Sequence, residues 1–267
     1  MSIKKIVHLL LSIRYRYLLT GSLVIVDDSS VLRIGRKVRI RSSKIVVKYG
    51  HNMTISEGCI IRKSVIGAMQ KDGKKCSVVI GEHCSFDNVQ MLVLDDVRIG
   101  EDNHFSNGGE YSPQFITIGG HLKIGKNNFL KCRIWLRFGG QLTIGDYNSI
   151  NQRSEIRADE NVTIGSYNMI SYDCNIWDTN THNIYPAEVR RDIMQGNPDF
   201  LGIEIEKPVT KPVYIGNDCW VGRYATIMKG CRIGDKCVVA FHAFLSNKTI
   251  EAGNMVYTYN KTITKKI

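Results

Sequence analysis

Histidine 182 stands where the rhythm of the chain calls for an aliphatic residue. Counting in sixes from Ile164, the beat passes Ile170 and Ile176 and lands on His182. Asp178 lies four residues before it, Trp177 and Tyr185 flank it, and a long stretch without repeats follows at once. Imidazole is the side chain whose unperturbed titration falls near neutrality, which suits it to taking or giving a proton. Displaced from a core position, beside a carboxylate and at the root of a loop, His182 is the chain's candidate for acid–base chemistry. The other six histidines (His8, His51, His83, His104, His121 and His242) read as solvated or structurally satisfied. A three-histidine metal centre would need a clustered set. His104 and His121 lie roughly one coil apart, but nothing near His182 completes the set, and no metal is expected to be required.

The beat itself defines the elements that must position this residue. Ile215, Val221, Ile227, Ile233, Val239 and Leu245 follow one another at intervals of six, and Gly, Ala or Ser often comes next. A strand has period two and a helix 3.6, so neither keeps such a beat. A solenoid that turns a corner every six residues does, with three short strands per coil. Ile-Gly pairs run from Ile34 to Ile233, and where the register is cleanest they lie 18 to 20 residues apart. About ten coils fit. Asn103, Asn128, Asn148 and Asn168 share one phase and predict an amide ladder along the axis. Cys59, Cys84, Cys174, Cys219, Cys231 and Cys237 occupy the same phase, four residues after a repeat isoleucine, and read as small buried corner residues. Residues 67–77, 106–115 and about 183–211 break the rhythm, and long loops in compact repeats are usually functional.

With 267 residues, 24 Gly and only 5 Pro, the chain reads as one repeat domain over 23–255. Residues 256–267 form a basic tail. Ile3, Ile6, Val7, Leu10, Ile13 and Tyr17 fall at helical spacing among Lys4, Lys5, Arg14 and Arg16. Residues 1–22 are therefore expected to be an amphipathic helix. It would cap the open end of the solenoid or lie as a basic interfacial helix on a membrane. The net charge of +11 favours anionic partners, yet no long basic run or recognition helix occurs, which argues against nucleic acid. Buried thiols without a Cys-x-x-Cys pair fit a reducing cytoplasm.

The stretch Asp178-x-x-x-His182, a loop, and Pro212-Val-Tyr-Ile-Gly-Asn-Asp-Cys-Trp220-Val-Gly222-Arg-Tyr-Ala225 through Gly234 to Ala240 resembles the hexapeptide-repeat acyltransferases. The nearest branch is the maltose/galactoside and surface-polysaccharide O-acetyltransferases. The resemblance implies a left-handed parallel β-helix, a homotrimer with sites between neighbours, and acetyl-CoA as co-substrate. It makes His182 the general base on a sugar hydroxyl, with Asp178 orienting the imidazolium. It sets Trp220 beside the thioester, and Gly222, Arg223, Ala225 and Ala240 along the pantetheine groove. Ser246 falls where relatives often carry Thr, while Asn247 replaces a frequent Lys and Lys248 follows it. Relatives often close with Gly-x-Pro, absent here, which leaves Lys261, Lys265 and Lys266 as phosphate partners or as a merely solubilising tail. Trp177 and Tyr185 are candidates to stack on the acceptor, with Asn107 and Tyr111 on the earlier loop as further contacts. A saccharide acceptor, acidic if the charge is a guide, and a cytoplasmic enzyme at or near the inner membrane face follow. The rival readings are N-acetylation of an amino sugar, free or nucleotide-linked, and a non-catalytic glycan-binding solenoid.

Overall fold

The computed structural model describes residues 19–71, 74–196 and 206–259. Three parallel sheets of eleven, ten and ten strands enclose a single apolar core. The first face runs from Leu19–Thr20 to Met255–Val256, the second from Leu23–Val26 to Phe244–Leu245, and the third from Val31–Ile34 to Thr249–Ile250. Each face takes every third strand, so the chain completes about eleven turns, close to the ten that the periodicity predicts. Leu19 and Thr20 already pair with Ile40 and Arg41. The solenoid therefore begins within the segment expected to cap it, and the rest of that predicted helix lies outside the described residues. No helix among the described residues is long and apolar enough to cross a membrane.

The six-residue beat works because each corner places one aliphatic residue inward and stacks it on its counterpart. Ile124, Ile144, Ile164, Ile215, Ile233 and Ile250 form one such column. The corners between the third and first faces are held by the predicted ladder. Asn103 Oδ1 accepts from Asn128 Nδ2 at 2.9 Å, and Asn128 Oδ1 accepts from Asn148 Nδ2 at 3.0 Å. Asn168 Oδ1 in turn accepts from the Cys219 amide at 2.7 Å. The Nδ2 groups of Asn103, Asn128, Asn148 and Asn168 also donate to a glycine carbonyl of the next coil, at 2.7 to 3.0 Å. Cysteine fills the same role: Cys219 Sγ reaches the Gly234 carbonyl at 3.1 Å and Cys59 Sγ that of Gly81 at 3.1 Å. A thiol is a weak donor, and here it substitutes for an amide. All eight cysteines are buried and free, as expected.

Coils pack so closely that some corners admit no side chain. A Cβ at Gly165 would lie 2.6 Å from the Gly216 carbonyl oxygen.

The long excursion leaves the solenoid without disturbing its register. Strand Asn175–Trp177 ends the second face of its coil, and Val213–Ile215 resumes on the third face directly above Val162–Ile164. Between them the chain closes on itself through an antiparallel neck. Thr179 bridges Thr210, the Asn180 amide donates to the Val209 carbonyl at 3.1 Å, and the Lys211 amide donates to that of Asp178 at 2.9 Å. The segment expected to be an extruded loop also carries a helix, α1 (Ala187–Gly196), with no buried residue. Periodicity misses it because its apolar side chains, Val189, Ile193 and Met194, span barely two turns among Arg190, Arg191 and Asp192, too short a stripe to stand out in the sequence. The other two interruptions are shorter than expected, since Val65–Ala68 and Ser77–Ile80 are strands, as are His104–Ser106 and Gln114–Ile118.

Candidate active site

His182 is exposed and sits just beyond the neck, on the edge between the second and third faces. Three successive coils supply its platform. Arg137, two coils earlier on the same edge, grips Asp159 with two parallel bonds, Nε to Oδ1 at 2.8 Å and Nη2 to Oδ2 at 2.6 Å. The same Nη2 donates to the Thr181 carbonyl at 3.1 Å. The Thr181 amide donates to Thr179 Oγ1 at 3.1 Å. Thr181 itself has a φ of 67°. A β-branched residue in the left-handed region is a genuine outlier, and such strain persists only where surrounding bonds hold it. The backbone that aims His182 is thus pinned on both sides.

Asp178 commits its carboxylate to the backbone of the coil below. Its side chain is wholly buried, and its oxygens accept the backbone amides of Asp159 (2.8 Å), Glu160 (2.8 Å) and Asn161 (2.6 Å). Burial pushes its carboxyl upward, and the neighbouring Asp159 charge adds to this against the pull of the three amides. Asp178 thus caps the turn of the coil below, and its backbone carbonyl accepts from the Lys211 amide at the foot of the neck. Arg137, Asp159 and Thr181 carry no motif that marks them in the sequence. Arg137 and Asp159 are 22 residues apart, about one coil, and only that interval could have paired them.

Aromatic and cationic side chains cover the outer second face beside this edge. Trp135, Arg157 and Trp177 form one rung column, with the Arg157 guanidinium 4.5 Å from the Trp135 ring and 5.0 Å from that of Trp177. Arg133 and Arg137 also lie over Trp135, at 4.7 and 5.2 Å. Burial lowers the Arg157 pKa, with Arg137 and Arg133 adding to the effect and Glu155 opposing it. Trp177 Nε1 is buried without a hydrogen-bond partner. Tyr185 is half-buried, and its hydroxyl accepts from Asn183 Nδ2 at 3.4 Å.

The residues matched to a cofactor groove fall into two groups. Trp220 projects from the first face, 53% exposed, and Gly222, Arg223 and Ala240 lie at the adjoining edge toward the second face. Ser246 and Lys248 lie on the edge that carries His182, two coils further on. One expected contact does not reach the surface. Ala225 is fully buried in the core, so its smallness serves packing and its methyl is closed to a ligand. Gly222 is partly exposed at its edge, and it is also required by the next coil, where a Cβ would meet the Phe241 amide nitrogen at 2.7 Å. Arg223 donates to Asp173 at 2.9 Å and stacks 4.6 Å from Tyr224. Lys261, Lys265 and Lys266 lie outside the described residues.

Asn107 and Tyr111 line a cavity of about 380 Å³ under residues 107–113, on the edge between the first and second faces. Asn107 Nδ2 donates within its own loop, to the Glu110 and Ser112 carbonyls, whereas Tyr111 is fully exposed. His104 pairs with Ser85 at 2.7 Å on the first face, while His121 on the third lies among Asp95 and Asp96. These two histidines therefore belong to different faces.

Residues 212–247 match the family described as bacterial transferase hexapeptide (six repeats), a stretch that includes Pro212 to Ala240 but not Asp178 or His182. No curated protein matches the sequence. Among solved structures, the chain is similar to the polySia-specific acetyltransferase NeuO, with 18% identity over 92% of this chain and 81% of that one, at a TM-score of 0.46. It is similar to the polysialic acid O-acetyltransferase OatWY at 16% identity, over 93% and 92% of the two chains, with a TM-score of 0.31. A hexapeptide-repeat acetyltransferase from Vibrio cholerae shares 21% identity over 49% of this chain and 64% of its own, with a TM-score of 0.37.

Proposed function

We propose that this chain, which carries the transferase hexapeptide repeat, is an acetyl-CoA-dependent O-acetyltransferase acting on a saccharide, with His182 as general base. The observation that supports this most is the pinned stem. A strained Thr181, tethered by Arg137, presents an exposed imidazole beside an aromatic and cationic face without disturbing the coil register. A base positioned in this way supplies about 10²–10⁴-fold in rate. In the step proposed, His182 takes the proton of the acceptor hydroxyl as its oxygen attacks the thioester carbonyl. The C–S bond then breaks, and the proton passes to the leaving thiolate. Asp178 and Arg137 act as positioning residues, Trp177 and Tyr185 pack against the acceptor, and Arg157 favours an acidic one. The cytoplasm, at or near the inner membrane face, is where acetyl-CoA and such acceptors would meet.

Within one chain the Trp220 group and the His182 edge lie on different sides of the prism. A homotrimer would bring the Trp220 face of one copy to the His182 edge of the next, and a column of exposed apolar side chains on the first face supports such packing. It contains Phe129, Met169, Trp220 and Met255, 52 to 65% exposed and aligned rung by rung. In this reading Trp220 and Ala240 flank the thioester arm, and Ser246 and Lys248 of the other copy face the cofactor.

The test is turnover of matched hydroxy-sugar and amino-sugar panels with acetyl-CoA, using wild type and His182→Ala. Acetyl transfer to hydroxyls is expected, with kcat lowered at least about 10²-fold in the variant and acetyl-CoA affinity retained. Turnover of amines alone would replace O- by N-transfer. Saccharide binding without turnover of any acceptor would instead favour the non-catalytic solenoid.

A further inference from the structure

We infer that the cavity beneath residues 107–113 is a second subsite for an acidic sugar residue, so that the acceptor is an oligosaccharide gripped at two places. This rests on the reading of His182 as the base. The cavity's volume of about 380 Å³ falls in the range of small-ligand sites. Its apolar wall is built from Tyr111, Pro113 and Phe115. Tyr111 is fully exposed at the tip of the excursion and Phe115 is 43% exposed. Rings so placed offer flat surfaces to the C–H face of a pyranose.

The polar lining is incomplete in a particular sense. Gln114 is only 4% exposed, and its Nε2 donates to the Cys132 carbonyl at 2.8 Å. Gln152 Nε2 faces the Gly108 carbonyl at 3.4 Å. Both amide orientations are thereby set, and both Oε1 atoms are buried without a donor. A buried acceptor left without a donor is costly, and sugar hydroxyls are donors. Both residues line the cavity, and a sugar hydroxyl bound there is the kind of donor these oxygens lack. Two side-chain ties hold the loop to the second coil above it: the Arg153–Glu110 pair at 2.6 Å and the Gln152–Gly108 contact.

Charge selects an acidic sugar. Lys131, Arg133 and Arg153 line the cavity together with Glu110 and Glu155. Glu110 is taken by Arg153, and Glu155 by Arg133 (3.4 Å) and Arg157 (2.7 Å). Lys131 has no ion pair among the described residues and is the cation left for a carboxylate. The cavity lies across the second face from His182. Glu155 pairs with Asn175 in the next coil; Asp178, at the foot of the neck, is three residues further on, about 10 Å at the rise of a strand, and His182 lies four residues beyond it. Arg157 and Trp177, with its unpartnered Nε1, lie between. A chain of several sugars spans that distance, and a single sugar does not.

The test is calorimetric binding to the full-length protein without acetyl-CoA. The probes are dimers and hexamers of sialic acid and of galacturonic acid, with maltohexaose as the neutral match. At least one acidic hexamer is expected to bind tenfold or more tighter than its dimer, and maltohexaose more weakly than either. Lys131→Gln and Tyr111→Ala should each reduce the hexamer-over-dimer ratio below about threefold, and Lys131→Arg should restore it. Thermal melts confirm that the variants fold. Equal affinity for dimer and hexamer in both acidic series, or ratios unmoved by either variant, would overturn the subsite. Acetyl transfer with equal KM for dimer and hexamer would overturn it too, while leaving the transferase reading intact. Length-dependent binding without transfer to any acceptor would defeat the transferase reading and leave the subsite standing.

Discussion

Replacing Arg137 by Met tests whether the His182 stem is held or merely placed. The Arg137 side chain is 10% exposed and that of Asp159 wholly buried, so the substitution strands a buried carboxylate. Breaking a buried ion pair in this way costs on the order of 3–5 kcal/mol, which for a chain of this length lowers Tm by roughly 10 °C. A second, local effect concerns activity. The left-handed Thr181 stores about 1–3 kcal/mol of strain, and a bond from a charged donor to its carbonyl is worth about 1.5–3 kcal/mol. The two are comparable, so cutting the tether releases the backbone beside His182. A displacement of the base by about 1 Å lowers kcat by roughly 10²-fold. Arg137→Lys keeps the cation but loses the fork, and should fall between wild type and Arg137→Met. Thr181→Gly in the Arg137→Met background should recover several-fold in kcat, because glycine holds a positive φ without strain. Circular-dichroism melts and steady-state kinetics measure both effects, with KM for acetyl-CoA expected to stay unchanged. A folded Arg137→Met protein with kcat within twofold of wild type would refute the tether.

Asn148→Ala removes the acceptor for the Asn168 amide and the donor to the Gly165 carbonyl, leaving two buried groups unpaired. Urea unfolding should show a loss of about 2–5 kcal/mol, whereas Asn148→Cys should lose much less, since Cys219 fills the same corner position. Asp173 is held below the usual carboxylate range by Arg153 first and then Arg223, against the effect of burial. A depressed folded pKa contributes stability above the unfolded value of about 3.9 that is lost as the pH falls further. Melts between pH 6 and pH 3 should therefore show a steeper acid decline in wild type than in Asp173→Asn, and parallel curves would refute this. Met169→Glu combined with Met255→Glu places charge on the exposed first-face column. Light scattering should then report monomers and acetyl transfer should disappear with them; a fully active monomer would place the whole site on one chain.

The three-sided solenoid, its phase and its corner chemistry were legible because each coil repeats the same local problem. Every six residues an aliphatic side chain must turn inward, and every corner needs a compact residue that bonds to the coil above. Those demands are written in Ile215 through Leu245 and in the Asn and Cys positions. His182 was legible for the same reason, as an exception to a rule the chain otherwise keeps. The sequence could not show where Asp178 points, because a residue that leaves a strand at a corner loses the alternation that fixes side-chain direction. Its carboxylate turned to three amides of the coil below, where burial demanded a partner for them. Nor could it show that Ala225 is small because it packs wholly inside the core.

Local sequence alone determined the repeat, the core columns and the place where the rhythm stops. The tertiary structure alone decided which residues meet there, bringing Arg137 and Asp159 beneath Thr181 and gathering Gln114, Lys131 and Gln152 under the 107–113 loop. The physical reason is that contacts along a solenoid axis depend on the summed lengths of the intervening coils. Each inserted corner residue shifts that sum, and no single coil carries it.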